Sequence, residues 1–245
     1  MNVAGARVLV VGGVRRLGRA IALDLAAYGA AVVVSSRSAG EEAEAQVAAL
    51  LAAGAPQAAA VAGDVRWPTS ARQLVADAAA ALGDLDALVY AASGPFVPTQ
   101  PEDIDEASWD ASLDTIAKGF FFTACAARTA LSPGGAIVAI TDYLGLQPWA
   151  AFAAHGAAKA AQIHLVKELA RAWAPEGLRV CGVAPGPVDL EDDEHRAATL
   201  RAAAKVASER LVAPADIGAA VRFCLSTDGV TGVNVAVDNG SLVMS

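Results

Sequence analysis

Short runs of β-branched and small apolar residues alternate along this chain with longer stretches of helical period, the pattern of repeated βαβ units around a parallel sheet. Val8 to Val11 is the first run. The next segment sets Leu17, Ile21, Leu25 and Tyr28 on one helical face and ends at Gly29, a residue suited to the left-handed conformation at a helix end. Further strands are predicted at Ala31 to Val34, Ala58 to Val61, Ala87 to Tyr90, Ala136 to Ile140, Leu178 to Val183 and Val233 to Val237, with helical patterns in most of the gaps. The expected fold class is α/β: a doubly wound parallel sheet of seven strands with helices on both faces. A (β/α)8 barrel suits the length, but it requires eight strands and gives no reason for a glycine turn after the first one.

The 245 residues are expected to form a single domain, 1–245, since one α/β core can reach about 200 to 250 residues. Hydrophobic residues make up 55% and aromatic ones only 5%, so the core must be built mainly of Ala, Val and Leu. A net charge of −8, with only four lysines, supplies little of the cationic surface that a phosphate backbone needs, and no nucleic acid is expected as a partner. Cys125, Cys181 and Cys224 are odd in number, lack a CxxC spacing and sit in apolar stretches. They read as reduced core thiols, which fits a cytoplasmic protein. No basic region precedes an apolar stretch at the amino end, and no apolar run approaches the roughly 20 residues of a membrane span, so no membrane association is expected. Nor is there a linker rich in Pro, Gly or Ser. Residues 187–210 break the alternation: an acidic cluster, Glu191, Asp192, Asp193 and Glu194, precedes an Ala-rich helix ahead of the helix opening near Pro214. This segment is expected to form a substrate lid over the carboxyl edge of the sheet, although such a cluster is more often a solvated helix start.

The first strand runs into Gly12, Gly13, Val14, Arg15, Arg16, Leu17 and Gly18. Glycines in such a turn let the backbone approach a pyrophosphate, and the following helix offers unpaired N–H groups and the positive end of its dipole. A nucleoside-triphosphate loop is excluded, because Arg19 and Ala20 stand where Lys and Ser or Thr would be required. The second strand ends in Ser35, Ser36 and Arg37, where an NAD site would present an acidic side chain. A guanidinium there can grip a 2′-phosphate with two hydrogen bonds, so NADP(H) is expected in preference to NAD(H).

Gly12-x-x-x-Arg16-x-Gly18, Asp64-Val65, Lys159, Pro185-Gly186 and the closing Val230-Thr231-Gly232 with Val237-Asp238 together resemble the short-chain dehydrogenase/reductase family, with its Rossmann-like fold, over essentially the whole chain. Arg16, and Ile140-Thr141-Asp142-Tyr143 after the fifth strand, are similar to the pteridine reductase and dihydrofolate-reductase-like branch. The resemblance implies that Gly12, Arg15, Arg16 and Leu17 lie along the cofactor phosphates and Ser36 and Arg37 at the 2′-phosphate. Asp64 and Val65 would flank the adenine. Ala91, Ala92 and Ser93 occupy the position of the family's Asn-Asn-Ala-Gly turn, with Tyr90 and Ala91 replacing both asparagines and altering the pocket floor. Pro185, Gly186 and Lys159 complete the implied cofactor contacts. The long helices Ser112 to Leu131 and Phe152 to Trp173 resemble those that pair subunits in this family, implying a homo-oligomer, a tetramer or dimer.

The family places a Tyr four residues before a Lys, because the ammonium lowers the phenol's pKa and binds the nicotinamide ribose. Lys159 matches the Lys, but His155 stands at the Tyr position, and the longer spacing of enoyl reductases would place Phe152 there. Asp142 holds the usual Ser position, and Ile116 that of a helix Asn. An imidazolium is a competent acid, which Asp142 would favour and Lys159 oppose. The expected function is reduction of a small carbonyl or pterin-like C=N substrate by hydride from NADPH, with His155, Asp142 and Lys159 as catalytic residues. Other sources of the proton are the substrate itself, water or Tyr143. The rival expectation is a catalytically inactive dinucleotide-binding protein, a sensor or subunit, in which His155 is merely a polar helix residue. His164 and His195 have no partner at metal spacing, so no metal is expected. Trp109, Trp149 and Trp173 read as packing residues, with Trp149 and Phe152 near enough to line the site.

Overall fold

Residues 1–94, 96–190, 196–204 and 206–244 are described by a computed structural model of the chain. The seven strands are β1 (Arg7–Val11), β2 (Ala31–Ser36), β3 (Ala58–Ala62), β4 (Leu85–Tyr90), β5 (Leu131–Ile140), β6 (Arg179–Pro185) and β7 (Asn234–Val237). They form one sheet in the order β3-β2-β1-β4-β5-β6-β7, with every neighbouring pair parallel. Eight α-helices are described: α1 (Arg16–Ala27), α2 (Glu41–Ala53), α3 (Pro68–Leu82), α4 (Glu106–Leu113), α5 (Gly119–Arg128), α6 (Ala153–Trp173), α7 (Arg196–Ala203) and α8 (Pro214–Ser226).

Side chains of successive strand residues point to opposite faces, so each strand feeds two cores. Val8, Val10, Val32 and Val34 pack with Ile21, Leu25, Leu50, Ile217 and Val221 from α1, α2 and α8. Leu9, Val11, Val33 and Leu88 pack on the other side with Leu74, Phe120, Val166 and Trp173 from α3, α5 and α6. This two-faced burial is why the strands read as unbroken apolar runs rather than alternating ones. It confirms the doubly wound, Rossmann-like α/β architecture expected from the pattern.

Each predicted strand is present, with longer ends at β4 and β5. One boundary is corrected. The helix expected from Ser112 to Leu131 is three pieces: α4 ends at Leu113, a π-helical turn spans Asp114–Lys118, and α5 stops at Arg128. Leu131 begins β5, which pairs with β4 across a register shift before Ala136. Pro133 and the left-handed Gly134 cannot continue a helix, and they explain both the early stop and the irregular strand start. Among the described residues, no helix is long and apolar enough to cross a membrane.

The chain moves from β1 outward to β2 and β3, then returns to β4 on the other side of β1. A crevice opens at the carboxyl ends of the strands where the order reverses. The glycine turn sits there under tight steric limits. Gly12 is left-handed at φ +76°, and a Cβ on it would lie 2.9 Å from the Ala92 backbone. One on Gly18 would lie 2.1 Å from the Gly12 carbonyl oxygen. Arg16 is held at φ +51°, a strained conformation for a side-chain-bearing residue. We expect Gly18→Ala to cost on the order of 2–3 kcal/mol in urea denaturation. Gly40→Ala, at an extended position with open space around it, should change stability by less than about 0.5 kcal/mol.

Candidate active site

The crevice is a cleft of about 1270 Å³, and every position expected to bind the cofactor or to act in catalysis lines it. The loops after β1, β2 and β3 form one end. Arg15, Arg16, Arg37 and Arg66 all border it. The Arg15 guanidinium, largely exposed, pairs with Glu42 at the start of α2. Arg66 donates through Nε and Nη2 to Asp64, at 3.0 and 2.5 Å, and this hydrogen bonding holds the Asp64 carboxyl below the usual carboxylate range. Arg37 is exposed at the rim. The Ser36 hydroxyl donates to the Ser38 carbonyl at 2.8 Å, shaping the loop beneath Arg37. Ala91, Ala92 and Ser93 border the cleft beside the glycine turn. Tyr90 turns away into the core, stacks edge-on against Phe120, and donates to the Thr115 carbonyl at 2.5 Å. It therefore ties the end of β4 to the π-helical turn instead of altering the cleft floor. Ile116 is fully buried within that turn, a kind of irregularity frequent at functional sites.

The other end of the cleft is built on β5 and the start of α6. Asp142 divides its oxygens between two tasks. Oδ1 accepts from the Leu144 backbone N–H at 2.9 Å, capping the short 3₁₀ turn Tyr143–Gly145, and Oδ2 lies 3.1 Å from His155 Nε2. The imidazole is buried, and its Nδ1 has no hydrogen-bond partner among the described residues. Both ring nitrogens are thus withheld from the open cleft. Lys159, one helical turn further along α6, is buried and donates to the Ile140 carbonyl at 2.7 Å and to Gln162 Oε1 at 3.2 Å. Burial pushes its ammonium down from the usual 10.5 to about 8, with the Asp142 charge acting against the shift. Burial, with Asp142 adding to it, pushes the Tyr143 phenol above its ordinary range and keeps it protonated.

Aromatic rings wall this end. Phe96 stacks on Phe152 at 4.5 Å and meets the His155 ring edge-on at 4.9 Å. Trp149 stacks on Phe152 at 6.3 Å and leans against Tyr143 at 6.0 Å. Of the tryptophans expected to pack, Trp173 does so and Trp149 is a cleft wall, while Trp109 is exposed. His164 is exposed; His195 and the acidic cluster 191–194 lie outside the described residues. Among the described residues, no group of three His, Cys, Asp or Glu could hold a metal ion. Val188, Leu190, Thr199 and Ala202 border the cleft from the segment expected to form a lid. The thiols of Cys181 and Cys224 are buried and that of Cys125 is half-buried; all three are free.

Sequence reasoning missed Phe96, Gln162, Arg66 and Glu42. Gln162 was legible in principle, three residues after Lys159 on one helix face. Phe96 lies in a loop with no periodicity, and only the fold brings it to His155.

A lysine whose folded value is depressed binds a proton more readily in the unfolded chain, so stability rises as pH climbs from about 8 toward 10.5. The rise attributable to Lys159 should reach up to about 3 kcal/mol. Denaturant titrations of wild type and Lys159→Met across that window will show it as a slope difference that the variant lacks.

A family model described as enoyl-(acyl carrier protein) reductase matches residues 12–241. An uncharacterized oxidoreductase of Mycobacterium tuberculosis is 34% identical over 240 residues, spanning 95% of this chain and 90% of that protein. A cis-1,2-dihydrobenzene-1,2-diol dehydrogenase of Pseudomonas putida is 36% identical over 77% of this chain and 68% of its own length. The crystal structure of a short-chain dehydrogenase from Burkholderia cenocepacia in complex with NADP superposes with a TM-score of 0.88 at 31% identity, covering 99% of this chain and 100% of that one.

Proposed function

This chain belongs to the short-chain dehydrogenase/reductase family of oxidoreductases, and on that footing we propose that it is an NADPH-dependent reductase of a small carbonyl or C=N substrate. The observation that carries the proposal is the convergence of Asp142, His155 and Lys159 on the cleft that the glycine turn and four arginines also line. Arg16 and Asp142 are the residues on which our reading likens the site to the pteridine reductase branch.

The cleft suits a phosphorylated dinucleotide. Its turn is stripped of side chains at Gly12 and Gly18, the amino terminus of α1 faces it, and its cations lie at the end where the 2′-phosphate would sit. The B. cenocepacia neighbour binds NADP. In our reading Gly12, Arg15, Arg16 and Leu17 hold the diphosphate, Ser36 and Arg37 the 2′-phosphate, and Asp64 and Val65 the adenine. Ala91, Ala92, Ser93, Pro185 and Gly186 line the path to Lys159, which holds the nicotinamide ribose. The cofactor supplies hydride; the residues must orient the acceptor and manage any proton. Because His155 Nε2 faces Asp142 and Nδ1 is buried, the imidazole acts through Asp142, holding the carboxyl group in place at the cleft. The described part of the segment 187–210 serves as a lid at the substrate end, and α4, α5 and α6 pair subunits into a dimer or tetramer, in a compartment that keeps the three thiols reduced, such as the cytoplasm.

Calorimetric titration should give micromolar NADPH affinity and NADH binding at least about tenfold weaker, a gap that Arg37→Ala narrows. Equal affinities would remove Arg37 from the account, and absence of binding would make the glycine turn structural and favour a non-catalytic protein. His155→Phe should lower kcat about a hundredfold or more in an NADPH-oxidation assay, with dinucleotide affinity unchanged. Turnover that ignores this substitution would remove the pair from catalysis.

A further inference from the structure

We propose that the substrate end of the cleft takes a planar cationic C=N group, a cyclic iminium ion or protonated imine, with Asp142 as its counter-ion. This inference rests on the reductase reading above and narrows its substrate class.

Charge is the first argument. Arg15, Arg37 and Arg66 on the loops after β1 to β3, and Arg16 at the start of α1, all lie at the far end. Among the described lining residues, the substrate end carries one carboxylate, Asp142, and one amine, Lys159, whose nitrogen is buried and turned onto the Ile140 carbonyl and Gln162. Asp142 is therefore the more exposed of the two groups, its side chain 21% accessible while Lys159 is buried.

The direction of charge flow is the second. When hydride adds to a ketone, negative charge grows on oxygen, and a carboxylate beside it opposes that growth. His155 stands where the family resemblance puts a donating phenol, its Nε2 faces Asp142 and its Nδ1 is buried, and the other phenol of this end, Tyr143, is on a buried side chain. An iminium reverses these demands. A C–H bond forms at its carbon with the electron pair delivered as hydride, and the π pair of C=N moves onto nitrogen, which becomes a neutral amine. The positive charge passes to the oxidised nicotinamide. No proton has to be supplied, and the carboxylate beside the nitrogen holds an imine in its protonated, reducible form before the step.

Shape is the third. Phe96, Phe152, Trp149 and Tyr143 line this end as a chain of rings whose successive centroids lie 4.5, 6.3 and 6.0 Å apart. Aromatic faces attract planar cations and gain most where water is excluded.

The test uses the NADPH-loaded protein and two bicyclic probes of similar size that it cannot reduce. These are 2,2-dimethyl-1,2,3,4-tetrahydroisoquinolinium, a fixed cation without a C=N bond, and neutral 1-tetralol. Calorimetry should show the cation binding at least about tenfold tighter, the order expected of one charge contact in a half-buried aromatic site. Asp142→Asn, which keeps an oxygen for the Leu144 N–H, should erase that preference while NADPH still binds. In turnover, 2-methyl-3,4-dihydroisoquinolinium should be reduced at least tenfold faster than 1-tetralone. Equal affinities, or a preference that survives Asp142→Asn, would overturn the proposal. Reduction of the ketone in preference to the iminium would overturn it too, while leaving the reductase reading intact. A protein that does not bind NADPH at all would overturn both.

Discussion

At the carboxyl ends of β1 and β4 the backbone of Gly12 passes so close to that of Ala92 that a single methyl group would not fit between them. The site depends on this close passage. It lets β1 turn sharply into α1 at the point where strand order reverses, so that the helix amino terminus faces the crevice instead of the core. Gly18, whose Cβ would meet the Gly12 carbonyl, sets how closely the helix returns to the strand. The glycines are thus structural first, and the cleft they open is the consequence. Arg16, held left-handed in the same turn, is strain located where a phosphate would be gripped, as strain in rigid scaffolds often is.

The opposite end of the cleft rests on a second economy, the division of Asp142 between the Leu144 N–H and the His155 ring. The first bond ties the carboxylate to the 3₁₀ turn that follows β5; the second orients an imidazole that rings of Phe96 and Phe152 hold in place. Lys159 is anchored separately, to the Ile140 carbonyl at the end of the same strand. The end of β5 and the turn that follows it therefore hold all three groups, and the rigidity of a sheet buried on both faces is passed to the chemistry. The π-helical turn carrying Ile116, tied to β4 by the Tyr90 hydroxyl, closes the same neighbourhood from the side.

How much of this was legible follows from how local each signal is. Strand cores such as Val8 to Val11 were readable because burial on both faces writes an unbroken apolar run. The end of α1 was readable because Gly29 sits where the left-handed turn is needed. The division of the helix expected at Ser112 to Leu131 was not. A π-helical turn keeps apolar residues on nearly the same face, and a strand starting at Leu131 through Pro133 and Gly134 contradicts the usual strand signals. At the site, Asp142, His155 and Lys159 could be named from the resemblance to the family's motif positions. The withdrawal of both imidazole nitrogens from the cleft, and the presence of Phe96, depend on loop conformation and packing that no periodicity encodes.

The most direct test of the account is a crystal structure of the protein with NADPH. The account predicts the 2′-phosphate against Arg37, the diphosphate over the Gly12–Leu17 turn, and the nicotinamide ribose within hydrogen-bond reach of Lys159, leaving its hydride-bearing face toward Asp142 and the aromatic wall. A dinucleotide bound in the reverse direction, or held away from Asp142 and Lys159, would contradict it.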